Sequence, residues 1–193
     1  MKHILAPLLL ALTFLTSGPA YSADFQTGMT AAKKGDFQRA VAEWTPLAEQ
    51  GDVYAQYYLG LLYQNGQGVP QDNAVAVKWY ARAAQQGLSN AQYNLAVMYD
   101  NGFGVPQDYA IAMDWYKRSA QQGDADAKYN MGKMYAKGLG VPKDAVRAYA
   151  WWESAAKAGH QKARKRKARL AQSMTAAELE AAKKLVAGEA HGL

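Results

Sequence analysis

Apolar residues recur four apart in paired short rows along most of this chain. Ala55, Leu59 and Tyr63 form one row, and Ala76, Tyr80 and Ala84 form the next. Residues at that spacing share one helix face, so the rows predict two amphipathic helices, over about residues 53–65 and about 72–86. Small residues at Ala55, Gly60 and Ala76 let the two helices approach closely, while Tyr63, Trp79 and Tyr80 fill the space beyond. The same choices return as Ala91, Ala96, Ala112, Tyr99 and Trp115, then as Ala127, Gly132, Ala148, Tyr135 and Trp151. The predicted unit is a helix hairpin, with rings such as Trp115 expected to lie buried between hairpins.

The hairpins keep a fixed step. Blocks starting at Gly51, Gly87 and Gly123 align residue for residue with a period of 36, and Gly159 continues it. A unit of this size cannot bury its own apolar face and must stack on neighbours. The connector between the two helices is equally regular. Gly66 is placed to end a helix in the left-handed conformation, Gly68 permits a second tight turn, and Pro70 cannot extend the helix behind it. Asp72 then sits where its side chain can accept from the unpaired amides of the next helix. Gly102, Gly104, Pro106 and Asp108 repeat the device, as do Gly138, Gly140, Pro142 and Asp144. This Gly-x-Gly follows a helix and lacks both the third glycine and the lysine of a phosphate-binding loop, so no nucleotide site is expected.

The succession Ala-x-x-x-Leu-Gly-x-x-Tyr, Gly-x-Gly-Val-Pro-x-Asp, Ala-x-x-Trp-Tyr-x-x-Ala-Ala and a final Gly resembles the Sel-1-like repeat, a relative of the tetratricopeptide repeat. Three complete copies run from Gly51 to Ala158, with Ala96 in place of the glycine, Met131 of the leucine, Trp152 of the tyrosine and Ser119 of an alanine. The resemblance implies an all-α fold: a right-handed superhelical solenoid of antiparallel helix hairpins, with repeats at 51–86, 87–122 and 123–158. Residues 23–50, with Gly35-Asp36-Phe37, Ala40, Trp44 and Ala48, resemble a tetratricopeptide-like capping hairpin. Residues 159–193 are expected to form C-terminal capping helices: Ala163 keeps the register, Lys165 and Lys167 replace apolar residues, and Ser173 to Thr175 with Glu178 signal a last helix over about 176–187.

The family resemblance implies an adaptor in which the first helices of successive hairpins line a concave groove for a peptide or protein, without cofactor or catalysis. Among exported bacterial proteins the resemblance implies a scaffold, a regulator of envelope signalling or a factor in host interaction. Residue spacing proposes the groove here: Tyr57, Tyr93 and Tyr129, then Leu61, Val97 and Lys133 one turn later, with Asn94 and Asn130 beside them and Lys137 at the helix end. Aromatic rings with amide neighbours suit an extended peptide. The same rings and amides also suit bracing between repeats, and both uses stay open on spacing alone.

Residues 1–22 are not read as part of the fold. Lys2 and His3, the apolar run from Ile4 to Leu15, and Ala20-Tyr21-Ser22 have the layout of a secretory signal peptide, so export to the periplasm or medium is expected, with no stable membrane insertion after cleavage. The chain has no cysteine, which excludes disulfides, thiolate metal sites and a cysteine-borne lipid anchor.

Charge is uneven. The whole chain carries a formal net charge of +6, and residues 159–193 hold eight Lys or Arg against three Asp or Glu. The densest run is Lys162, Arg164, Lys165, Arg166, Lys167 and Arg169. It reads either as a solvated cap face or as a basic patch for an acidic partner. No base-reading module accompanies it, so nucleic acid is not expected. Ser154-Ala-Ala-Lys157 has the Ser-x-x-Lys spacing of penicillin-recognising enzymes, which raises the alternative of a cell-wall or β-lactam-modifying hydrolase. No Ser-Asp-Asn or Lys-Thr-Gly accompanies it, and its positions match the outward-facing Arg82, Gln85, Arg118 and Gln121. His160 and His191 lack partners at metal-ligand spacing.

Overall fold

The structure, a computed structural model, describes residues 23–187; the expected leader over 1–22 and His191 lie outside them. Among the described residues ten helices follow one another. They pair as α1 (Ala23–Lys33) with α2 (Phe37–Glu49), α3 (Val53–Asn65) with α4 (Asn73–Gln85), α5 (Ser89–Asn101) with α6 (Tyr109–Gln121), and α7 (Ala125–Lys137) with α8 (Ala145–Lys157). Then α9 (Gln161–Ala171) begins a fourth step, and α10 (Ala176–Ala187) turns back to pack on α8. Each of the first nine helices packs mainly on its chain neighbours, which is the nearest-neighbour pattern of a solenoid.

Local chemistry sets the helix ends where the pattern places them. Asp52, Asp72, Asp108, Asp124 and Asp144 each accept from the backbone N–H three residues on, at 2.8–3.0 Å. Gly66, Gly102 and Gly138 close α3, α5 and α7 in the left-handed region, with φ of 66°, 71° and 72°. Thr175 and Glu178 form a reciprocal capping box at the start of α10.

Within a hairpin, columns of alanine bring the helices together and one ring seals the gap. The ring of Tyr80 lies on Gly60 and that of Trp152 on Gly132, so close that a Cβ there would fall 2.6 Å and 2.5 Å from ring carbons. Ala96 takes this place in the middle hairpin, which is sealed by the buried Tyr116.

The expectation of a buried Trp115 is corrected. Trp79 and Trp115 are half-buried on the outer side, and the guanidinium groups of Arg82 and Arg118 lie 4.6 Å and 4.7 Å from their ring centroids. Only the third copy, Trp151, is buried. Trp151 packs in the cluster that holds Tyr116, Met131 and Met134, and the same helix α8 is also covered by the returning α10. Ala150 and Ser154 are 0% and 3% exposed on the covered helix, where the earlier copies carry Lys78 and Asp114, Arg82 and Arg118. The outward register assigned to Ser154 therefore holds for the first two repeats and fails in the third. Small side chains replace charged ones at two positions a turn apart because a helix lands there.

Candidate protein-interaction surface

The predicted tyrosine row is real as a row, and each ring touches more than one element. Tyr57 packs at 6.1 Å from Tyr80 and Tyr93 at 5.8 Å from Tyr116, both within their own hairpins. Burial raises the hydroxyls of Tyr57 and Tyr93 above the usual tyrosine range, an effect that the side chains of Asn94 and Asn130 of the next repeat partly offset. The three tyrosines are half-buried. At the N-terminal end Tyr58 is drawn into the cap, 5.1 Å from Trp44 and 5.7 Å from Phe25.

A second set of cross-repeat bonds was not anticipated. Buried Gln56 donates to the Ala48 carbonyl at 3.0 Å and accepts from Gln86 at 2.8 Å, while Gln86 also donates to the Gly51 carbonyl at 3.0 Å. Gln92 and Gln122 repeat the arrangement on Ala84 and Gly87. The signal was in the sequence: both positions change together in the third repeat, to Lys128 and Ala158. We expect Gln92→Ala to lower stability by about 1–2 kcal/mol, because the Ala84 carbonyl and Gln122 lose a buried partner; urea unfolding midpoints measure it.

Lys133 lies in the row at the position of Leu61 and Val97, but its ammonium is already engaged. Its Nζ is 2.6 Å from the Asp100 carboxylate, whose side chain is 6% exposed. Tyr116 also donates to Asp100, at 3.4 Å, with its hydroxyl kept neutral by burial and by the carboxylate beside it. Lys133 therefore offers a partner less free charge than spacing alone suggested. Lys137, in the last turn of α7, is exposed.

The basic run of α9 divides. Lys167 pairs with Glu153 and lies 5.9 Å from the Tyr149 ring centroid, while Arg164 is exposed. Lys162, Lys165, Arg166 and Arg169 instead line one cleft of about 290 Å³ together with Tyr129. These four occupy, in the 36-residue register, the places of Tyr54, Tyr57, Tyr58 and Leu61 in the first repeat. The row thus passes from aromatic through amide to cationic. His160 anchors this end: its Nε2 donates to Asp126 at 3.0 Å, its Nδ1 accepts from the Ala163 amide at 3.0 Å, and its ring stacks on Tyr129 at 4.4 Å. Its role on this geometry is a helix cap. Among the described residues no group of three or more His, Cys, Asp or Glu could hold a metal ion, and no helix is long and apolar enough to cross a membrane.

Stacked hairpins with exposed first-helix side chains at a constant period define a helical repeat protein of the solenoid class. The Sel1 repeat family matches residues 53–88, 89–124 and 125–160, and the chain belongs to that family. A Sel1 repeat protein from Oxalobacter formigenes is similar in structure, with a TM-score of 0.68 and 32% identity over 72% of this chain and 57% of that one. So is a protective antigen present in uropathogenic Escherichia coli strains that displays an SLR fold, with a TM-score of 0.68 and 41% identity over 71% of this chain and 30% of that one. The similarity spans little more than half of the first protein and less than a third of the second. No curated protein matches the chain. Sel1 repeats are generally protein-interaction scaffolds and typically not catalytic.

Proposed function

We propose that this protein is an exported adaptor that holds an acidic peptide or protein segment along the first helices of its solenoid, in envelope regulation or host interaction. The observation that carries the reading is the progression along that face: half-exposed Tyr57, Tyr93 and Tyr129 at a constant period, ending in the cations of α9. Rings bury area at modest entropic cost, and the charge gradient sets direction, with the negative end of the partner toward Lys137 and α9. The signal-like layout of residues 1–22 supports export.

Crosslinking and affinity purification of the full chain from the exporting compartment, with partner affinity measured across salt, tests this. A stoichiometric partner is expected. Tyr93→Ala should weaken it with little salt dependence, and Lys137→Glu should weaken it more at low salt than at high salt, with thermal unfolding followed in parallel because Tyr93 also braces the stack. Affinity indifferent to both changes would move the binding face to the outer helices. Turnover without any partner would favour the hydrolase alternative.

A further inference from the structure

Two clefts meet at the C-terminal end of the stack, and they differ in chemistry. One, of about 290 Å³, is lined by Tyr129, Lys162, Lys165, Arg166 and Arg169. The other, of about 380 Å³, is lined by Trp152, Leu170, Gln172 and Ser173 and shares Arg166 and Arg169 with the first. The shared arginines place an apolar floor directly beside a cationic wall.

The cations are free to act on a ligand. None of Lys162, Lys165, Arg166 or Arg169 forms an ion pair among the described residues; the nearby acids are used elsewhere, Glu153 by Lys167 and Asp126 by His160. In the two earlier repeats the neutral amides of Asn94 and Asn130 stand next to the preceding tyrosine. The fourth copy of that position is Arg166, which lines the same cleft as Tyr129. A stack that merely ended here would need a polar face; it would not need four unpaired cations on the side where the earlier repeats carry Tyr and Asn.

Resting on the adaptor reading above, we propose that α9 forms a receptor for a short acidic-apolar peptide motif, in which two carboxylates two residues apart meet the cations and an adjacent apolar side chain enters the cleft over Trp152 and Leu170. The spacing follows from geometry. Lys162 to Arg166, and Lys165 to Arg169, are each four residues apart, about 6 Å along a helix. In an extended strand side chains two apart share a face and are separated by about 7 Å, so an acid-x-acid step matches one helical turn. Arginine favours carboxylate through its two-pronged donor geometry, and the apolar neighbour distinguishes a peptide from a bare anion.

The test uses the full chain and a labelled, C-terminally amidated peptide carrying Glu-Ser-Glu-Leu, with fluorescence anisotropy and backbone NMR shifts as readouts. Binding is expected, with shifts centred on Tyr129, Trp152 and residues 162–173, and it should weaken as salt rises. Replacing the peptide leucine by serine should cost about tenfold in affinity. Arg166→Asn restores the residue of the earlier repeats; it should cost at least about tenfold while leaving thermal unfolding unchanged. Three results would overturn the proposal: a leucine-to-serine peptide that binds equally well, equal competition by inorganic phosphate, which makes this a simple anion site, or binding of anionic phosphatidylglycerol vesicles without binding of the peptide. If the peptide fails while a partner still depends on Tyr93 and Lys137, the receptor is wrong and the adaptor reading stands. If the peptide binds and no partner depends on Tyr93, the reverse holds.

Discussion

Lys133→Ala is expected to lower stability by about 3–5 kcal/mol, a large fraction of what holds a chain of this size together. The reason is the state in which it leaves Asp100. That carboxylate is nearly buried, at 6% exposure, and its remaining side-chain hydrogen bond among the described residues is the long 3.4 Å one from Tyr116. Removing one partner of a buried pair costs far more than the pair contributes over a well-packed neutral substitute. The molecule already contains that substitute. One repeat earlier the same two positions are Gln64 and Val97, and Gln64 accepts from Tyr80 at 2.6 Å. Asp100→Gln combined with Lys133→Val should therefore recover stability to within about 1 kcal/mol of the parent, so that the two changes are strongly non-additive. Urea unfolding of the single and double variants reads this directly. A Lys133→Ala loss under about 0.5 kcal/mol would mean the pair is solvated in solution.

The second large effect is at the connector. Gly104 has a φ of 71°, and a Cβ built on it would stand 2.3 Å from the carbonyl carbon of Asn73, at the start of the preceding α4. Gly68 meets Phe37 in the same way, so each connector seats on backbone of the hairpin before it. Gly87 has a φ of 94° but open space around the missing Cβ. Gly87→Ala should carry the conformational penalty alone, about 1–3 kcal/mol. Gly104→Ala should carry that and a further cost of about 1–3 kcal/mol, because backbone cannot swing aside as a flexible side chain can. Equal thermal shifts for the two variants would show that the connector does not seat on α4.

Lys133 cannot serve as a probe of binding, since changing it perturbs the junction between the second and third repeats. Lys137 and Arg166, like Lys162, Lys165 and Arg169, make no ion pair among the described residues, so charge can be altered there while the stack is kept.

Short-range chemistry carried most of the fold. The helix over 53–65, the last helix over 176–187, the aspartate caps and the glycine stops are each decided within about seven residues of sequence, where spacing and capping act directly, and they stand in the structure as read. The repeat period then required stacking, because no single hairpin can bury its face. Three features depended on where elements land. The Asp100–Lys133 pair and the Gln92–Gln122 bond join residues 33 and 30 positions apart, across faces whose approach is set by the packing of whole helices. The burial of Ser154 depended on α10 folding back onto α8, which no local pattern near Ser154 states. The division of the basic run, with Lys167 on Glu153 and four cations around Tyr129, came from the packing of α9 against α8. Sequence spacing placed those side chains on helices, or, for Gln122, at the C-cap just past α6; only the packing of the helices selected their partners, because an ion pair or a buried hydrogen bond is decided within about 3 Å.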